Sequence, residues 1–412
     1  MMFLDGVRSV WALLVGVALL SLGNGLQGTL LGVRAAMEDF TPGVTGIIMA
    51  AYSVGLLIGS VITPKLVSYV GHIRVFSALA SVASTAALAF PVFVDPYWWG
   101  IMRVILGFCL SGLFIVAESW LNAVSTNQDR GRLLSVYMII TYSCMGFGQF
   151  LLNAASPGGF VLFVLVSCTV SLAMVPMALV QLTAPDITRP RGVKIREIYS
   201  RSPLAVVCAF ANGLGQSAFF TMGAVYGTLA GLTVAEVSIL MALPPLGVIL
   251  SQYPIGLFSD RHDRRSILTL LAFAAALLAI GCVPAAGLSK TLLITIFCLF
   301  GALALPLYSV ALAHANDNLD ADQILGASGK LVLIYGCGSV VGPVLVGGIM
   351  SALGAVGFPI YLAAVYALMG AFAIYRMSRR AAPPNRSDFV LVNPRMTPVL
   401  PAAVISETEY GV

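Results

Sequence analysis

Charge is what this sequence has least of. Asp, Glu, Lys and Arg make up 9% of its 412 residues, while 59% are hydrophobic and the mean hydropathy is +0.97. Soluble domains carry about 25% charged residues, so an ordinary water-soluble domain is excluded. Histidine is scarcer still. His72, His262 and His314 lie at the edges of apolar runs with no metal-ligand spacing, which leaves no metal centre to read. No G-x-x-x-x-G-K-[ST] loop is present, so this chain does not by itself hold ATP in that way. Neither a catalytic constellation nor a cofactor pattern is visible, and the sequence does not read as an enzyme. All seven cysteines fall inside apolar runs rather than in loops, so they read as small packing residues and not as a disulfide framework.

What is present is apolar length. A helical span needs roughly 20 apolar residues, and such segments recur near 10–33, 44–64, 75–94, 98–121, 133–155 and 160–182. Six more lie near 204–228, 236–256, 267–287, 291–313, 328–352 and 357–377. The backbone must satisfy its own hydrogen bonds in lipid, so these are helices. The expected organisation is a bundle over 1–182, a basic linker over 183–203, a second bundle over 204–378 and a disordered, Pro-rich tail over 379–412. The first run is too long for a signal-peptide core and lacks a cleavage site, so it is a retained span. Of the 22 Lys and Arg, all but Arg34, Lys290 and Arg103 fall in alternate loops and tails. By the positive-inside bias those loops and both termini are cytoplasmic. The net charge of +5 thus marks orientation, not a nucleic-acid partner. The bilayer expected is a bacterial inner (cytoplasmic) membrane, and the chain reads as a monomer.

The two halves repeat. Residues 140–144 around Tyr142 return around Tyr335 at an offset of 193, and Ile47-Ile-Met-Ala50 returns as Ile239-Leu-Met-Ala242 at 192. Asn24-Gly25-Leu26 returns as Asn212-Gly213-Leu214 at 188, and Gly107 and Asn122 answer to Gly301 and Asn316 at 194. A nearly constant offset over four segments points to parallel repeats of the transporter kind.

Between the eighth and ninth runs lie ten residues, Gly256-Leu-Phe-Ser-Asp260-Arg261-His-Asp263-Arg264-Arg265, too ionic for hydrocarbon and therefore a short turn at a membrane face. They resemble the loop signature of the major facilitator superfamily, G-x-L-x-D-R-x-G-R-R, departing from it at Phe258 and Asp263. The resemblance extends over about residues 8–378. It implies an all-α membrane protein of twelve spans in two six-helix bundles. It also implies secondary transport of a small solute by alternating access, with protons as the coupling ion. In that family each loop latches a helix of the other half, which makes Asp260, Arg261, Arg264, Arg265 and, from the first-half copy at 64–74, Arg74 gating candidates. Asp260 is expected to face the start of span 5 at 131–135. Ser68, standing where the family has Asp, is expected to face span 11 at 328–330 without the charge–dipole term.

Span 4 carries Arg103 and Glu118, about 22 Å apart along a helix and so unable to pair. Arg103-Val-Ile-Leu-Gly107 resembles the family's R-x-x-x-G element linked to proton coupling; the alternative is a side chain that snorkels to the outer surface. Glu118 is either a structural acid paired with Arg74 or Arg130, or a carboxylate that titrates in transport. The run at 338–348 looks like the family's exporter element G-x-x-x-G-P, but it sits in span 11 rather than span 5, and close packing with a Pro bend is the plainer reading. For a solute path the polar candidates are Asn24, Gln27, Tyr142, Gln149, Asn212, Gln216, Tyr308 and Tyr335. Each has helix–helix hydrogen bonding as its alternative. Asn24 and Asn212, being repeat-related, are expected to converge at the midplane. Such a lining suits a neutral or amphiphilic small solute. The competing function is a membrane receptor or sensor that keeps a transporter fold.

Overall fold

A computed structural model describes residues 2–124, 130–179 and 194–379, some near helix ends by backbone alone. The first half comprises α1 (Met2–Met37), α2 (Pro42–Val70), α3 (His72–Ala89), α4 (Pro96–Val124), α5 (Arg130–Phe150) and α6 (Val161–Leu179). A short α7 (Ile195–Arg201) ends the linker, and α8 (Pro203–Leu229), α9 (Val234–Arg261) and α10 (Arg264–Leu288) follow. The next span is split into α11 (Lys290–Ala304) and α12 (Leu307–Asn316), and α13 (Ala321–Leu353) and α14 (Gly357–Arg379) complete the chain. Eleven apolar segments among the described residues are long enough to cross a membrane. The last of them, 54 residues from Gly326 to Arg379, would be about 80 Å as one helix, far beyond a bilayer. It folds back through a 3₁₀ turn beginning at Gly354, whose φ of 68° favours glycine, and so contributes two spans. Among the described residues there are thus twelve crossings and no strand, so the fold is all-α, in agreement with the sequence.

Several boundaries differ from expectation. Span 11 begins at Ala321 rather than near 328, and the ionic signature is mostly helical. Helix α9 runs through Arg261, leaving only His262 and Asp263 as the turn. The linker holds a seven-residue helix that hydropathy had no means of marking, because only Ile198 of its side chains is fully buried. Linker residues 183–193 and the tail beyond 379 lie outside the described residues.

The sequence repeat is a repeat of contacts. Gly25 of α1 lies against the carbonyl of Met145 on α5, and Gly213 of α8 lies against Tyr335 and Gly338 on α13. Likewise Gly107 on α4 meets the backbone of Tyr52 on α2, as Gly301 on α11 meets Pro244 on α9. At these crossings a Cβ would collide with the neighbour's backbone, or at Gly301 with the Pro244 ring, so glycine permits an approach that no other residue allows.

The halves meet chiefly through α2 against α13, α5 against α9 and α1 against α8. The closest of these contacts lie toward the face opposite the linker. There Gly43 N–H donates to Ser351 Oγ at 2.9 Å, and Gly46 and Gly347 bring α2 and α13 together backbone to backbone. Asn153 Nδ2 donates to Ser238 Oγ at 3.0 Å, and Ser238 Oγ donates to the Gln149 carbonyl at 3.0 Å. Among the described residues, the ion pairs on that face stay within one half each: Arg34 with Glu38 at 2.5 Å, and Lys290 with Glu236 at 2.8 Å. Among the described residues, the halves meet on that face through small and uncharged groups.

Candidate solute site between the two halves

The contact of Gly107 and Gly55 with the facing backbones holds α4 and α2 in register, and one turn along α4 this places Arg103 beside Tyr52. Arg103 lies about 10 Å along α4 from its Pro96 end, near enough to snorkel by length alone. It does not. Its side chain is 2% exposed, with the guanidinium 4.7 Å over the Tyr52 ring. Arg103 Nη1 donates to Gln27 Oε1 at 2.8 Å, and Nη2 points to Met49 Sδ at 3.3 Å. Stacking and a charge-assisted hydrogen bond replace the water that the snorkelling alternative invoked.

These groups face a cavity where α1, α2, α4 and α5 meet α8. Its wall includes Asn24, Gln27, Thr29, Gln149, Phe220 and Thr221, together with Arg103 and Tyr52. Tyr52 Oη donates to Asn24 Oδ1 at 3.4 Å, and Thr29 Oγ1 donates to Gln149 Oε1. Since Arg103 can only donate, Gln27 must turn its oxygen toward it, and the amide Nε2 of Gln27 is left buried without an acceptor. A buried donor in that condition costs about 1–3 kcal/mol. The open space is about 40 Å³, room for a few waters and not for an organic solute.

The second-half candidates form a different assembly. Asn212 donates to the carbonyl of Cys208 at 2.8 Å on its own helix and toward Met369 Sδ at 3.6 Å. Tyr335 Oη donates to Gln216 Oε1 at 3.2 Å, and Tyr308 lies edge-on to Tyr335 at 5.3 Å between ring centroids. Gln216 Nε2 donates to the Leu305 carbonyl at 3.1 Å, in the break between α11 and α12. Pro306 causes that break, because it supplies no N–H to the carbonyl of Ala302. Ser251 Oγ of α9 donates to that carbonyl instead, at 2.7 Å. The structure thus brings Asn24, Gln27 and Gln149 together, keeps Asn212, Gln216, Tyr308 and Tyr335 apart from them, and buries Tyr142 on α5. Asn24 and Asn212 do not converge. Asn24 lines the cavity and meets Tyr52, whereas Asn212 bonds to Cys208 and Met369 within the second half.

At the linker face, Arg264 is 1% exposed between Asp260, at 3.0 Å, and Asp317, at 3.3 Å and itself 2% exposed. Asp263 caps α10 by accepting from Arg265 N–H at 3.0 Å and pairs with the Arg265 guanidinium at 2.6 Å. Burial pushes the Asp263 carboxyl up, but hydrogen bonds from the Arg265 side chain and backbone outweigh it and hold the group below its usual range. Arg261 and Arg74 are exposed. Ser68 donates to Lys65 of its own helix at 2.7 Å and is exposed, so it does not meet span 11 as expected. The segment expected opposite Asp260 begins at 131–132, outside the residues whose side chains are described. Glu118 is fully buried and accepts from Tyr137 Oη at 2.9 Å rather than from Arg74. Arg130, the other expected partner, has no described side chain. The 338–348 element behaves as packing: Gly338 and Gly342 lie against α8, and Pro343 and Gly347 against α2.

Sequence reasoning missed Tyr52, Thr29, Phe220, Thr221, Asp317 and Ser251. The position of Asp317 at the end of an apolar run was the one signal available; the others are ordinary residues made significant by tertiary contact.

The profile of the Major Facilitator Superfamily matches residues 13–321 and, in an overlapping alignment, 205–406. The chain belongs to the major facilitator superfamily. A member of that superfamily from Escherichia fergusonii, the MFS-type transporter YcaD, is 25% identical over 338 residues, covering 82% of this chain and 87% of its own. YcaD of Salmonella typhimurium is 26% identical over 340 residues, with the same coverage. Among solved structures, a nucleoside transporter NupG superposes with a TM-score of 0.73 at 10% identity, covering 90% of this chain and 99% of that one. A bacterial homologue of the human lysosomal transporter Spinster, inward-facing and occupied, gives 0.68 at 15% identity, with 89% and 96% covered. These superpositions share the superfamily fold. Membership makes the chain a multi-pass membrane transport protein, in a class that is not enzymatic.

Proposed function

We propose that this protein is a secondary active transporter of a small neutral or amphiphilic solute, driven by a proton gradient. It sits as a monomer in the inner membrane with both termini and the linker face cytoplasmic. Units 1–182 and 204–378 rock about the cavity beside Arg103, and the cluster of Asp260, Arg261, Arg264 and Arg265, with Arg74 in the other half, gates the cytoplasmic side. The observation that carries the reading is a polar cavity at the interface of the halves, closed on one face by contacts that separate without breaking an ion pair. Arg103 and Glu118 remain the coupling candidates. Both are ionisable groups held at membrane depth by tyrosines, where such residues usually serve function. The test is solute-dependent proton flux in proteoliposomes. Flux that collapses in Glu118→Gln supports coupling through that carboxyl, full pH-driven transport in the variant excludes it, and solute binding without any flux favours a sensor.

A further inference from the structure

The cavity wall has a chemical bias that the transport reading does not use. Arg103 brings a fixed positive charge, stacked on Tyr52 and so held in orientation before any solute arrives. Beside it the Gln27 amide turns a second donor, Nε2, into the wall without an acceptor, in a side chain only 1% exposed. Thr29, Asn24 and Gln149 add neutral polar atoms, and Met145 and Phe220 supply the apolar boundary. Among the described residues lining the cavity, Arg103 is the sole formal charge. Two donors, one of them cationic, converge on a small volume with an apolar side.

We infer that the solute is a monocarboxylate with a compact apolar body, its carboxylate held by Arg103 and the Gln27 amide and its body set against Phe220 and Met145. The inference rests on the transport reading for its context but concerns recognition alone. A guanidinium binds a carboxylate through charge-assisted hydrogen bonds, roughly twice as strong as neutral ones, whereas an uncharged amide offers only its carbonyl. A second carboxylate on the solute would enter a low-dielectric cavity without a second cation, which disfavours dianions. The closed cavity is too small for any of these, so the halves part to admit the solute, and Gly28 is where room exists. A Cβ placed there comes no nearer than 4.0 Å to the Phe220 carbonyl.

The experiment uses the purified full chain and reads ligand-induced thermal stabilisation, converted to relative affinity. Probes are benzoate against benzamide, hexanoate against hexanamide, and succinate as the dianion, each to about 10 mM, where even a millimolar site is nearly filled. The acids are expected to bind at least about tenfold more tightly than their amides and than succinate. Arg103→Gln should bring acid and amide to the same level, Gln27→Leu should weaken the acids, and Gly28→Leu, which fills the cavity, should remove both. If Arg103→Gln does not fold, Gln27→Leu and Gly28→Leu carry the test. Amides binding as well as acids, succinate binding as well as benzoate, a preference that survives Arg103→Gln, or no acid binding at all would each overturn the assignment. Acid binding that depends on Arg103 but comes with no flux in vesicles would defeat the transport reading and leave this one standing.

Discussion

Asp263 serves two neighbours at once, capping α10 through the Arg265 N–H and pairing with the Arg265 guanidinium. Replacing it separates those roles. Asp263→Ala is expected to lower stability by about 1 kcal/mol, the usual loss for a cap. Asp263→Asn should keep most of the cap and lose the ionic part. Because the folded carboxyl titrates below its ordinary value, its contribution is full above about pH 4 and fades as pH falls through the lower folded value. Thermal melts between neutral and acid pH should therefore converge for wild type and Asp263→Asn at the acid end. Arg264 is a harsher site. Removing it leaves the buried carboxylate of Asp317 without the guanidinium at 3.3 Å, so Arg264→Ala should cost about 3–5 kcal/mol. Arg261→Ala, at an exposed position, should fall within about 0.5 kcal/mol of wild type. At this scale the sequence disclosed which residues were anomalous but not whom they touch. Arg103 and Glu118 stood out as charges in an apolar helix, yet their partners Tyr52 and Tyr137 are common residues on other helices, and nothing local marks them.

Elements were read from hydrophobic length, and length served well wherever a helix simply crosses lipid. It failed where a helix stops for another reason. Pro306 lies inside a run that reads as one span, and the structure divides it there because the Ala302 carbonyl loses its donor. Ser251 supplies the replacement from α9. Ser251→Ala should thus cost about 1–3 kcal/mol, the penalty for an unpaired buried carbonyl. Pro306→Ala restores an N–H that can close the helix onto Ala302, so the double variant should recover most of the loss. A double-mutant cycle in melting experiments measures this, and additive effects would show that the two residues are not linked through that carbonyl. The α7 helix escaped notice for the opposite reason: it is amphipathic and brief. It is tied to the second half by Arg201 with Asp320 at 2.7 Å and by Gln323 with Glu197 at 2.8 Å.

For the molecule as a whole, the repeated offsets are the most informative signal, because the glycine pairs Gly25 and Gly213, and Gly107 and Gly301, make matched contacts between corresponding spans. Their limit is that symmetry of fold did not extend to symmetry of the site. The polar cavity belongs mostly to the first half, while in the second half Gln216 is spent on the break between α11 and α12 and Asn212 on its own helix. A global prediction follows from the α2–α13 contact. Gly46→Leu inserts a side chain where a single Cβ already meets the Pro343 carbonyl. It should shift the population toward the form open on that face. In a background with Cys168 and Cys337 replaced by Ser, a reporter Gly28→Cys should react with impermeant maleimide about tenfold faster, as a 1.4 kcal/mol change would give. Unchanged labelling would mean that the seal does not depend on this approach.

That seal is built of glycine, proline, serine and peptide groups, with the nearby salt bridges confined to separate halves. Among the described residues this closure has no ionisable component, so neither ionic strength nor acidity should alter how firmly it shuts. On the proposed alternating-access reading, a chemical signal would be received elsewhere, in the cavity or among the ionised side chains of the opposite rim, and the uncharged side would follow passively.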